Sequence, residues 1–192
     1  MLSVIIATRE SERPLARTLA ILVAGAVAGA LREVIVADAG SADATAEVAD
    51  IAGCRIMISK DPIGARLKAA AAAARAPWLL FLRPGTVLDG TWVDDATGFI
   101  AADERRRSGD PRIAVFHPLA GAAGQRPAFL EALALLVSAC GRPRPQQGLL
   151  IAKRLYERLG GHAAHDDAEA DLLRRLGRRR IVVLRSGAAH AE

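Results

Sequence analysis

The chain has 192 residues, 52% hydrophobic and 24% charged, and a net charge of +5 that arginine supplies almost alone. That length suits one domain with a sizeable core. Two cysteines exclude a disulfide framework and suit a reducing cytoplasm, and their spacing to histidine is not that of a zinc site. No uncharged apolar run reaches the ~18 residues of a membrane span, and the opening residues lack the basic-then-apolar pattern of a signal peptide. The basic balance suits phosphate-bearing ligands, an anionic membrane surface or nucleic acid. The arginine bias of a GC-rich genome, with abundant alanine and glycine, explains it without any partner. Nucleic acid is not expected, because the arginine clusters lack interleaved aromatic residues and a known binding module.

In chain order, Leu2 to Thr8 reads as an apolar strand that runs into the polar turn Arg9-Glu10. Ser11 is placed to cap a helix with Pro14 in its first turn, and Leu15, Leu19, Leu22 and Val23 recur at helical spacing on its buried face. Val34, Ile35 and Val36 are a β-branched run, the signature of a strand covered on both faces, and Asp38 stands where it ends. Gly40 and Ser41 permit a tight turn, and Ser41 or Asp43 can cap a short helix over Thr45 to Ile51. Ligands of open α/β sheets bind at the carboxyl ends of strands, so a ligand contact is expected at Asp38.

Cys54 to Ser59 predicts a third strand, and Asp61 to Gly64 a loop. Ala65 to Ala76 is an alanine-rich helix carrying Arg66 and Lys68, each either a phosphate contact or part of a solvated face. Trp78 to Leu82 is a fourth strand, apolar throughout, followed by Arg83-Pro84-Gly85-Thr86. Thr91 to Asp94 reads as a capping box for a helix to about Arg105, then a charged loop to Pro111 and a fifth strand over Ile113 to His117. Pro127 to Ala139 predicts a helix apolar all round, buried, paired with a second copy as a homodimer, or resting on a membrane surface, and broken by Cys140 to Pro145. Asp166, Asp167 and Glu169 cluster where a further helix begins; carboxylates there also suit the helix dipole. Gly177 to Arg180 ends that helix, Ile181 to Leu184 is a final strand, and Arg185 to Glu192 reads as a fraying tail.

Taken together, these stretches resemble family 2 glycosyltransferases with the A-type nucleotide-sugar-binding fold. In that family the first strand reads roughly S-V-I-I-P-T-x-N-E, and the second ends in V-D-(D/G)-G-S-x-D-x-T. Thr8, Glu10, Asp38, Gly40, Ser41, Asp43 and Thr45 match, whereas Ala7, Arg9 and Ala39 depart. Gln147-Gly148 and Leu159-Gly160-Gly161 are similar to the Q-G and L-G-G of small bacterial members, with His162 in place of an aromatic residue. The resemblance implies a single-domain, Rossmann-like doubly wound α/β sheet, with mixed pairing toward the C-terminal half. Residues 1–100 would form a nucleotide-binding half and 110–185 an acceptor-side half. It also implies a nucleoside-diphosphate sugar (UDP- or GDP-linked) as donor, contacted by Thr8, Glu10 and Asp38 with Arg66 as a candidate phosphate contact, and an acceptor hydroxyl of unidentified origin near His117.

Two departures from the family pattern matter for chemistry. The strand (L/I)-L-F-L leads in the family to a metal-binding D-x-D, where this chain has Arg83 and Gly85. A divalent ion such as Mn²⁺ or Mg²⁺ needs hard oxygen ligands, which neither residue's side chain supplies. The arginine fork binds phosphate directly. Aligned on Arg175-Leu176, the family's catalytic base falls on Glu169, one methylene longer than the usual aspartate, with Asp167 or Asp166 as substitutes. Two readings follow: a metal-independent inverting transferase with Arg83 as countercharge, or an inactive homologue that acts as a binding or scaffold protein.

Overall fold

The computed structural model describes residues 1–106, 111–119, 147–177 and 180–190. The expected helix over Pro127 to Ala139, its Cys140 break and most of the Arg105–Pro111 loop lie outside these residues. The first element is β1 (Leu2–Thr8), buried along its whole length because β-branched and apolar side chains face helices on both sides of the sheet. Helix α1 (Glu12–Val27), β2 (Leu31–Asp38), α2 (Thr45–Ile51), β3 (Arg55–Ile58), α3 (Ile63–Ala73) and β4 (Trp78–Leu82) follow, an alternation that builds a parallel sheet. Then come β5 (Thr86–Leu88), α4 (Trp92–Arg105), β6 (Ile113–Pro118), β7 (Leu149–Ala152), α5 (Lys153–Arg158), α6 (Ala168–Leu176) and β8 (Ile181–His190).

The eight strands among the described residues form one sheet in the order β3-β2-β1-β4-β7-β6-β8-β5. β1 lies between β2 and β4 and is parallel to both, so successive crossovers reverse direction at β1. β7 runs antiparallel to β4, and from there the pairing is mixed. Register sets the level at which each strand releases the chain. Thr8 pairs with Asp38, and Ile6 with Leu82, so Arg83 leaves β4 beside the carboxyl ends of β1 and β2.

Several local expectations change. Residues 185–190 are not frayed: β8 extends to His190, pairing with β6 and β5, and the carboxylate of Asp89 accepts the Gly187 backbone N–H. A three-residue strand such as β5 has too short a pattern to be read alone. Thr91 precedes α4 without capping it, because its hydroxyl donates to Asp89 Oδ1 at 2.7 Å. Ser11 likewise donates to the Arg9 carbonyl at 2.8 Å rather than accepting from its helix. Val23, expected on the buried face of α1, is 57% exposed, whereas Leu15, Leu19 and Leu22 are buried.

Candidate functional site

The site is built at the carboxyl ends of β1, β2 and β4, where strand order reverses and an open α/β sheet leaves its ligand crevice. Asp38 is 1% exposed and its two oxygens are fully engaged. Oδ1 accepts the Thr8 hydroxyl at 2.7 Å and the Ser41 hydroxyl at 2.6 Å. Oδ2 accepts the backbone N–H groups of Gly40 at 2.8 Å and Ser41 at 2.7 Å. Burial pushes its pKa up, but the bonds from Ser41, Thr8 and Gly40 outweigh that and hold the carboxyl below its ordinary range. The bond to the Gly40 N–H needs the chain to turn back at once. Gly40 does so at φ +82°, a conformation that disfavours any side chain.

Glu10 ties the β1 turn to the β2 turn. Its backbone lies at φ +47°, in the left-handed region where non-glycine residues are uncommon. Its carboxylate accepts the N–H groups of Ala42 at 2.8 Å and Asp43 at 3.2 Å, while its own N–H donates to Ser41 Oγ at 2.9 Å. Asp43 does not cap α2 from the N-cap position, which Ala44 occupies. It bridges instead, accepting the Glu12 N–H at 3.1 Å and the Thr45 N–H at 3.0 Å. The matched motif residues therefore hold one another: Thr8, Glu10, Asp38, Ser41, Asp43 and Thr45 form one network across the first two turns.

Arg66 is not on a solvated face. It is 8% exposed, donating to the carbonyls of Thr8 at 3.0 Å, Asp61 at 3.2 Å and Ala37. Burial lowers its pKa while Asp38 and Asp166 raise it. Its guanidinium thus satisfies backbone oxygens at the ends of β1 and β2. Lys68, two residues on, is exposed.

The acidic loop before α6 meets α3. Pro62 at the N-cap of α3 supplies no side-chain acceptor, so its first N–H groups need a distant partner. Asp166 Oδ1 accepts the Ile63 N–H at 3.2 Å, and the His165 carbonyl accepts the Gly64 N–H at 3.3 Å. Gly64 is required by closeness. A Cβ there would overlap the Ala163 carbonyl oxygen and stand 2.9 Å from that of His165. A helix with no local cap and a glycine in its first turn was the signal in the sequence for this distant contact.

That docking brings together two positions 86 residues apart. Arg83 Nε donates to Glu169 Oε2 at 2.8 Å, and Nη2 donates to the same oxygen. The Arg83 side chain is 38% exposed and that of Glu169 13%. Asp167 sits at the N-cap of α6 with its side chain exposed. The residues at the metal position of the resembled pattern do not fit a divalent ion: Gly85 has no side chain, Arg83 is a cation, and no cluster of three or more His, Cys, Asp or Glu suited to a metal occurs among the described residues. His162 fills the place of the expected aromatic ring. It is buried edge-on against Phe81, with ring centroids 4.9 Å apart and Nδ1 2.8 Å from the Tyr156 hydroxyl. His117 lies at the carboxyl end of β6, partly exposed. Concavities elsewhere among the described residues include an apolar groove of about 420 Å³ between α1 and α2 and a hollow of about 290 Å³ beside Trp78 and Lys153.

This arrangement is the A-type fold of nucleotide-sugar transferases. Glucosyl-3-phosphoglycerate synthase from Mycobacterium tuberculosis, solved with Mn²⁺, UDP and glucosyl-3-phosphoglycerate, superposes with a TM-score of 0.71 at 20% identity, covering 100% of this chain and 72% of that one. The same enzyme with Mg²⁺ and UDP gives 0.71 at 20% identity over the same shares. Residues 1–349 of TarS from S. aureus give 0.70 at 15% identity, covering 99% of this chain and 60% of that one. Residues 3–117 match the sequence profile of glycosyl transferase family 2, and the chain belongs to that family. No curated protein sequence matches it. No helix among the described residues is long and apolar enough to cross a membrane.

Proposed function

We propose that this protein is a metal-independent, inverting member of its family that binds a nucleoside-diphosphate sugar at the carboxyl ends of β1, β2 and β4. Residues 1–100 hold the donor and 110–185 face the acceptor. The observation that carries the reading is the Arg83–Glu169 pair: a cation where the family places its diphosphate-bound metal, in contact with the carboxylate where the family places its base. The Glu169 carboxylate takes the proton of the acceptor hydroxyl. The acceptor oxygen forms its bond to the anomeric carbon from the face opposite the diphosphate, inverting that centre. The carbon–oxygen bond to the diphosphate breaks, and its electron pair stays on the leaving oxygen. Arg83 offsets that charge through a two-pronged donor fork. UDP is the first nucleotide to test, since the similar synthase was solved with UDP; GDP is the second. The two cysteines in 192 residues suit a cytoplasmic protein.

A second reading is favoured by a different observation. Asp38, Glu10 and Arg66 spend their polar groups on the protein's own turns. A nucleotide would have to compete for them, as expected of an inactive homologue that acts as a scaffold. Calorimetric titration with UDP, GDP and their sugar conjugates, with and without Mn²⁺, separates the two. Equal binding with and without metal supports the first reading. Binding only with metal refutes metal independence, and no binding at all supports the scaffold.

A further inference from the structure

The charged groups around the switch point are held in two different ways. Asp38 is locked by four donors, two of them backbone N–H groups. Glu10 is held by two backbone N–H groups, and Arg66 by three backbone carbonyls. These partners are backbone groups, of Thr8 and Ala37 in the strands themselves and of the turns that leave them, so they do not part by a side-chain rotation. Arg83 and Glu169 differ: each holds the other through side chains alone, and no other hydrogen bond to the Glu169 carboxylate occurs among the described residues. The cation is also the more exposed member, 38% against 13%, so an incoming anion reaches it from solvent. A rotation of the Arg83 side chain is enough to part the pair, with no change in the backbone. Both Arg83 donors converge on one oxygen, Oε2, whereas a diphosphate offers a separate oxygen to each.

We propose that the Arg83–Glu169 pair is a donor-operated latch, an inference that rests on the nucleotide-binding reading above. A nucleoside diphosphate takes Arg83 from Glu169, and the released carboxylate becomes the base for the acceptor hydroxyl. Until the donor is in place, the base is neutralised by its partner. Binding is therefore ordered, donor before acceptor, and water arriving alone meets a carboxylate already engaged.

The test is calorimetric titration of the full chain with UDP and GDP, comparing wild type, Glu169→Gln and Arg83→Ala, each checked by thermal melt. Removing the competing carboxylate charge should tighten binding of the nucleotide about tenfold in Glu169→Gln, and Arg83→Ala should weaken it about tenfold or more. Equal affinity of wild type and Glu169→Gln, with clear binding by both, overturns the latch and leaves the nucleotide site standing. Binding by neither overturns the nucleotide reading and the latch with it. A readout in the unmutated protein covers a Glu169→Gln chain that fails to fold. The Arg83 Nε–H resonance, identified by its loss in Arg83→Lys, should move on adding UDP as its partner changes from carboxylate to phosphate. UDP binding that leaves this resonance in place overturns the latch.

Discussion

Replacing His162 by phenylalanine should remove a defined part of the protein's acid sensitivity. His162 is 1% exposed, with its Nδ1 2.8 Å from the Tyr156 hydroxyl and its backbone N–H donating to that oxygen at 3.1 Å. Burial, with Arg175 adding repulsion, pushes its pKa down from 6.5 to about 4. Burial likewise pushes Tyr156 up to about 12. The pair is therefore neutral and imidazole-to-phenol at neutral pH. In the unfolded chain the histidine takes a proton below about pH 6.5, while in the folded chain it resists until about pH 4. The unfolded state binds more protons in that window, so stability is full above it and falls as pH drops. The gap between 6.5 and about 4 corresponds to about 3 kcal/mol. For a chain of this size that is roughly 6–12 °C in Tm. Phenylalanine keeps the ring against Phe81 but leaves the Tyr156 hydroxyl without its acceptor, at a cost of about 1 kcal/mol at pH 7. Denaturant unfolding of both proteins at pH 7, 6, 5 and 4.5 gives the difference directly, with other carboxylates cancelling. The two stability curves should converge, and then cross, as pH falls. Parallel curves would refute the buried neutral histidine.

Two further predictions concern the docking of α3 and the Asp38 turn. Gly64→Ala drives a methyl group into the Ala163 carbonyl and separates α3 from Asp166 and His165. The expected loss is about 3–4 kcal/mol, from overpacking and two broken hydrogen bonds, and circular dichroism melts should show a Tm fall of roughly 6–15 °C. A fall below about 2 °C would mean that the loop before α6 is not docked there. Asp38→Ala strands four donors, the hydroxyls of Thr8 and Ser41 and the N–H groups of Gly40 and Ser41, and leaves Arg66 without its carboxylate neighbour. It should cost about 3 kcal/mol in urea unfolding, and this loss should shrink in acid, because a carboxylate with a lowered pKa gives up its stabilising advantage as pH falls. A loss that stays constant down to pH 3 would contradict the charged, fully bonded Asp38.

The sequence by itself showed the order of strands and helices in the parallel half but not every bound: Ile63 and Gly64, read as loop, open α3, which ends at Ala73 rather than Ala76. The β-branched run of β2 and the Leu15, Leu19, Leu22 spacing of α1 needed no tertiary information. It also placed Asp38, Arg83 and Glu169 at the positions of the family pattern, because those follow from alignment to motifs in a fixed order. Only the tertiary structure decided what these groups touch. Thr91 and Ser11 carry the residue types of helix caps, yet Asp89 and the Arg9 carbonyl take their hydroxyls. Arg66 has the spacing of a surface residue on an alanine-rich helix, yet strand ends 29 and 58 residues away supply its carbonyl partners. The last residues read as a tail until β5 and β6 supply an edge to pair with. Arg83 and Glu169 stand apart in the chain as two substitutions in separate motifs. They become one ion pair only when the sheet register and the close approach at Gly64 bring them together. Local period depends on neighbours within a few residues, whereas the partner of a buried charge is whatever long-range packing delivers to it.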